Sequence, residues 1–128
     1  MGRCALEKFE IAGLTVEFET GDGLLLKRSR PYLTSDDKKT DIKIELDDDF
    51  FIRRRQSYPM LTLDECRYVW TGEAFYLKLL EFNGFMLHSS CVCRGGNAYL
   101  FSARSGTGKS THTHLWLSEF PDAYILND

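Results

Sequence analysis

Nine residues close to the C-terminal end, Ala103, Arg104, Ser105, Gly106, Thr107, Gly108, Lys109, Ser110 and Thr111, combine two glycines, a lysine and several hydroxyls in an order suited to an anion. Holding a phosphate through the backbone needs several N–H groups converging on one point, and side chains obstruct that approach. Glycine at 106 and 108 removes the obstruction. Lys109 then adds a cation for the β and γ positions of a nucleotide, and the Ser110 hydroxyl is placed to meet Mg²⁺. The apolar run "NAYLFSA" ahead of the stretch reads as a strand. "STHTHLWLSEF" behind it reads as a helix ended before Pro121, because proline disfavours helical geometry in the preceding residue. A helix starting at the glycines would aim its positive dipole end at the same anion. The usual form of such a loop opens on glycine, whereas Ala103 stands here.

Other residues could carry different chemistry. His88, Cys91 and Cys93 lie within six residues of one another and could offer three zinc ligands, with Cys66 or His114 as a distant fourth. That spacing matches no familiar zinc pattern, and small cysteines on a core strand are common. His112 and His114, two apart on a helix, point about 160° away from each other and do not share a site. The run "DDDFFIRRR" could suggest a metal site or an anion clamp, but like charges side by side on a short strand or turn are usually solvated surface.

These residues need a scaffold, and 128 residues with 43% apolar and 13% aromatic content can bury one. A formal charge of −3 argues against a general nucleic-acid binder. No apolar run approaches a bilayer span of roughly 18 residues, and "MGRCALEKFE" lacks the apolar centre of a signal peptide. Four cysteines, two of them only two apart, suit reduced thiols, so the expectation is a cytoplasmic chain without membrane or nucleic-acid partners.

The chain reads as one domain, or a fragment of one, in three segments. Residues 1–60 are expected to be β-rich. "FEIAGLTVEFE" alternates Leu14, Val16 and Phe18 with polar residues, "TGDG" turns, "LLLKR" returns as a second strand, and "DIKIELD" alternates Ile42, Ile44 and Leu46, which together make an antiparallel sheet. Residues 61–84 are helical, as one broken helix or two short ones with Thr71 capping the second, stopped at Asn83-Gly84; Trp70, Phe75 and Phe82 belong to the core. Residues 85–128 hold a hairpin turned at Gly95-Gly96-Asn97, the phosphate loop, its helix and a buried closing strand, "AYILND".

The order of these parts, a β-rich segment first and an antiparallel hairpin delivering the loop, resembles the catalytic domain of HPr kinase/phosphorylase and the related phosphoenolpyruvate carboxykinases. The resemblance runs from Leu87 to Asp128 and rests on "HSSCVCRGGNAYLFSARSGTGKS", with His88 fifteen residues before Ala103, and on "ILND". It covers about a third of the chain with specific lettering. It implies an α/β fold with an HPr kinase/phosphoenolpyruvate carboxykinase-like core of hairpin, phosphate loop, helix and strand, incomplete at its C-terminus because the family's later strands and acceptor-binding segments are not in this sequence.

The resemblance also implies an ATP-binding, Mg²⁺-dependent phosphotransferase acting on a hydroxyl, a serine of a protein or peptide. Residues 103–111 would hold the nucleotide and Ser110 with Asp128 the metal. His88 would stand near the transferred phosphate, and Asp128 would act as catalytic base. The family shows two acids where this chain has Asn127-Asp128, so either the first acid is replaced or Asp128 is itself the first of the pair. With the domain unfinished, the chain alone is expected to be weakly active or inactive, and to self-associate through its open sheet edge. Two other readings stand beside this one: a nucleotide-binding regulatory or interaction domain without catalysis, and the zinc module.

Overall fold

The computed structural model describes residues 6–127 and is a mixed α/β structure with four helices and two small three-stranded sheets. It divides after Phe85 into two compact units. No helix among the described residues is long and apolar enough to cross a membrane.

The N-terminal unit opens on a hairpin of β1 (Leu6–Ile11) and β2 (Leu14–Glu19), turned at Ala12-Gly13 with both φ values positive. Two positive φ values match the natural twist of a two-residue hairpin. Phe9, Val16 and Phe18 point into a core completed by Leu25, Ile42 and Ile44, with the Phe9 and Phe18 rings stacked 4.4 Å apart. The alternation expected for β2 is present at Val16 and Phe18, while Leu14 is half-buried.

Beyond β2 this unit is mixed rather than β-rich. "LLLKR" belongs to a short helix, α1 (Leu24–Ser29), not to a strand. Leucine, lysine and arginine are good helix formers, and the Asp64 carboxylate accepts the Leu24 N–H at 3.0 and 2.9 Å, capping the helix from forty residues away. "DIKIELD" yields only a two-residue strand, β3 (Ile42–Lys43), and it pairs parallel with β2. "DDDFFIRRR" forms α2 (Asp48–Ser57), whose Asp47 cap accepts the Phe50 N–H at 2.7 Å. Its acids sit in the first turn and Arg54 and Arg55 in the last, so the charge run complements the helix dipole.

The helical segment is one continuous helix, α3 (Leu63–Leu79), opened by a Thr62–Glu65 capping box and closed by a 3-10 turn into Asn83 at φ 55°. Thr71 is buried inside it and caps nothing. Trp70 is core with Phe51 and Cys66, Phe75 is partly buried against the first cluster, and Phe82 is exposed.

The C-terminal unit holds a sheet in the order β5-β4-β6, from β4 (Ser90–Arg94), β5 (Asn97–Phe101) and β6 (Tyr124–Asn127), with α4 (Lys109–Glu119) joining β5 to β6. Gly95 and Gly96, at φ 56° and 76°, make the expected turn between β4 and β5. The helix ends before Pro121, with Phe120 extended. The closing strand forms as expected but is largely exposed rather than buried, because it pairs only along β4 and lies at the sheet's edge.

Candidate phosphate-binding site

Both β5 and β6 run antiparallel to β4, so they are parallel to each other with β4 between them. Ser90 pairs with Phe101 and Cys91 with Asn127, which brings the C-terminal ends of β5 and β6 to the same edge of the sheet. Two strand spacings separate them, about 10 Å. The phosphate loop leaves from the first of these ends and Asn127 marks the second.

His88 and Ser89 lie just ahead of β4 at that edge. The Ser102 hydroxyl donates to the His88 carbonyl at 3.0 Å, and the Asn127 side-chain amide donates to the Ser89 carbonyl at 3.0 Å. The expected histidine, the loop and the end of the last strand are thus tied together through backbone carbonyls. The His88 residue itself is exposed. Asp128, expected as base and metal ligand, lies outside the described residues.

The loop takes its shape from two left-handed glycines, Gly106 at φ 77° and Gly108 at φ 94°. A Cβ built on either would meet no atom within 4 Å, so the backbone conformation rather than crowding calls for glycine, and the space in front of the loop is open. Ala103 is absent from the positive-φ positions, so alanine at the place of the usual first glycine meets no backbone strain. Thr107 closes the turn from inside, its N–H donating to the Arg104 carbonyl at 3.3 Å and its hydroxyl to the same oxygen at 2.5 Å.

Lys109 curls back over the loop, its ammonium donating to the carbonyls of Ala103 at 2.9 Å and Arg104 at 3.4 Å. A cation is therefore stationed at the mouth of the loop. The first turn of α4 has no side-chain cap and no acidic residue, and its backbone bonds begin with the His112 N–H to Gly108 at 2.9 Å. The leading N–H groups keep their partial positive charge for an incoming anion. Ser110 and Thr111 are exposed, while Thr113 is fully buried and donates its hydroxyl to the Ser110 carbonyl at 2.9 Å. Open space, uncapped N–H groups and a positioned lysine fit a phosphate chain, and the exposed Ser110 hydroxyl fits its metal.

An aromatic row seats the helix on the sheet. Trp116 packs against Tyr99 at 4.8 Å, Phe101 at 5.8 Å and Phe120 at 5.3 Å between ring centroids, and Phe101 meets His112 edge-on at 4.6 Å. Arg94 lies over Phe120 at 3.8 Å and pairs with Asp122 at 3.0 Å, holding that carboxyl below its ordinary pKa. The loop itself lines a shallow, open depression of about 650 Å³ together with the end of β5 and the first turns of α4. Sequence reasoning treated His112 only as a histidine that does not pair with His114. Within the N-terminal unit a cavity of about 510 Å³ is lined by residues such as Phe18, Ile44 and Phe51.

The zinc ligands do not assemble. Among the described residues no group of three or more His, Cys, Asp or Glu side chains could hold a metal ion. Cys91 and Cys93 share a strand face, but burial and then the neighbouring Cys93 push the Cys91 thiol up, away from the thiolate that zinc needs. Cys66 is a core residue beside Phe51 and Trp70, and His114 is exposed on α4. No protein-family model, curated protein or solved structure matches the chain.

Proposed function

We propose that the C-terminal unit binds the Mg²⁺ complex of ATP and serves phosphoryl transfer to a hydroxyl, in the manner of the HPr serine kinases it resembles. The observation supporting this most directly is the loop after β5, with two left-handed glycines, Lys109 stationed at its mouth and an uncapped helix behind it. Backbone N–H groups of residues 106–111 would receive the phosphates, and Lys109 would exchange its carbonyl partners for the β and γ oxygens. Ser110 and Asp128 would hold Mg²⁺, which neutralises charge on the phosphate chain when bound.

In the transfer step the acceptor oxygen, a serine of a protein or peptide, attacks the γ phosphorus as the bond to the β-bridging oxygen breaks. The serine proton passes to the Asp128 carboxylate and ADP leaves. Positioning and charge neutralisation carry most of such a reaction. His88, at the edge between the loop and the end of β6, would contact the transferred group. Unbridged Cys66, Cys91 and Cys93 suit a reducing, cytoplasmic setting.

Calorimetry with MgATP on the native chain and on Lys109→Ala tests the binding. Losing a charged hydrogen-bond donor removes about 1.5–3 kcal/mol, so affinity should fall by about tenfold or more. Equal heats for both proteins would remove the loop from the account. Transfer of label from γ-labelled ATP to a serine peptide then separates a kinase from a domain that only binds nucleotide.

A further inference from the structure

We propose that the cavity of the N-terminal unit is a binding site for a small organic amine, with its ammonium at an acidic opening, an apolar body, and a hydroxyl at its inner end. The cavity has its cause in the fold. β3 pairs with β2 only as far as Glu17 and Lys43, and the Ile44 N–H still reaches the Glu17 carbonyl at 2.9 Å. Beyond that point β2 continues through Phe18 and Glu19 while residues 44–47 lead into α2, and a space of about 510 Å³ opens beside them.

The base of the cavity falls in a seam of the core. On α3, Cys66 and Trp70 pack in the cluster around Phe51, Ala74 and Phe75 pack against the cluster around Phe18 and Ile44, and Thr71 stands between the two sets. Thr71 lines the cavity, is only 5% exposed, and its hydroxyl has no hydrogen-bond partner among the described residues. Among those residues no fully enclosed side-chain oxygen is left unpaired, so this hydroxyl touches the cavity space. An unpaired hydroxyl in an apolar seam is costly, and a ligand hydroxyl placed against it removes that cost.

The exposed polar residues lining the cavity, Glu19, Glu45 and Asp47, are all acidic. Lys43 meets Glu45 at 2.8 Å and the Phe50 N–H donates to Asp47, whereas the Glu19 side chain has no hydrogen bond or ion pair among the described residues. Leu6, the cross-strand partner of Glu19, lines the cavity too, so the end of the hairpin contributes an apolar lip beside an uncompensated carboxylate. Apolar walls with one or two placed polar groups are the usual make-up of a small-molecule site. A carboxylate for an ammonium, Phe18 and Phe51 for a ring and Thr71 for a hydroxyl together describe a hydroxylated arylalkylamine.

The site does not depend on the phosphate loop, since every residue it uses lies before Phe85. Titration of the full chain with tyramine, followed through its backbone amide resonances, tests it. Saturable shifts should appear at Phe18, Ile44 and Thr71, with a Kd of about 1 mM or tighter. 4-Hydroxyphenylacetate, with the same ring and hydroxyl but the opposite charge, should leave those amides in place. Thr71→Val should weaken tyramine by about three- to tenfold while phenethylamine, which lacks the hydroxyl, is unchanged. Glu19→Gln, at an exposed position, should weaken both amines by about threefold and decides the matter even where Thr71→Val does not fold. No saturable shift up to about 10 mM tyramine means the cavity holds water only and overturns the proposal. Shifts confined to the C-terminal unit, an equal response to 4-hydroxyphenylacetate, or a tyramine affinity indifferent to both variants would overturn it as well.

Discussion

Replacing Gly108 with alanine separates what the loop does for folding from what it does for binding. Gly108 sits at φ 94° and ψ 24°, immediately before the first residue of α4. An L-residue with a Cβ is destabilised in this region by roughly 1–2 kcal/mol. Nothing adds to that figure, since a Cβ at Gly108 would meet no atom within 4 Å. Gly108→Ala should therefore lower the stability of the C-terminal unit by about 1–2 kcal/mol, and Gly108→Asn by less, because asparagine tolerates the left-handed region. Hydrogen exchange of the β4 amides as a function of denaturant reads this locally. The same backbone bend aims the first N–H groups of α4 at the loop mouth, so relaxing it should also weaken MgATP binding by about tenfold, or 1.4 kcal/mol. If alanine and asparagine both leave the β4 exchange unchanged, the backbone at 108 is not left-handed. If alanine destabilises the unit while ATP affinity is untouched, the loop does not hold the phosphates.

Two further predictions concern the N-terminal unit. A Cβ on Gly23 would lie 1.9 Å from Asp64 Oδ1, so Gly23→Ala should displace the carboxylate from the Leu24 N–H and lower stability by about 2 kcal/mol. In an Asp64→Ala background the same change should have almost no effect, and an equal effect in both backgrounds in urea unfolding would refute the coupling. The Glu65 carboxyl is held below the ordinary glutamate range, first by the Thr62 backbone N–H and then by the Thr62 hydroxyl. Its folded pKa is depressed, so its contribution is present above the ordinary glutamate pKa and is lost as pH falls through the lower folded value. Glu65→Gln should flatten this acid limb of thermal stability, and an unchanged limb would place the titration elsewhere.

Local chemistry made some elements readable from residues alone. Gly95-Gly96 turns the β4–β5 hairpin because two consecutive residues need positive φ. Pro121 stops α4, Asn83 ends the turn after α3, and Gly106, Gly108 and Lys109 write the loop within four residues. Each of these depends on neighbours a few positions away. Other elements were misread, some because the deciding partner is distant and some, such as the Ala12-Gly13 turn inside "FEIAGLTVEFE" and the Asp47 cap of α2, although the signal is local. α1 looks like a returning strand until Asp64 caps it, β3 looks antiparallel until it docks beside β2 with Asp41 N–H bonded to the Thr15 carbonyl, and Phe82 looks like core until its turn leaves it in solvent.

The same division holds for the site. By itself the sequence determined that a phosphate-suited loop lies between a strand and a helix, because glycine conformation, a following lysine and a helix dipole act within one short segment. Only the tertiary structure decided that His88 and the end of β6 share an edge with that loop, through the pairing order β5-β4-β6 and the bonds to the His88 and Ser89 carbonyls. Strand order and helix docking follow from the summed packing of side chains far apart in the chain, which no local spacing records.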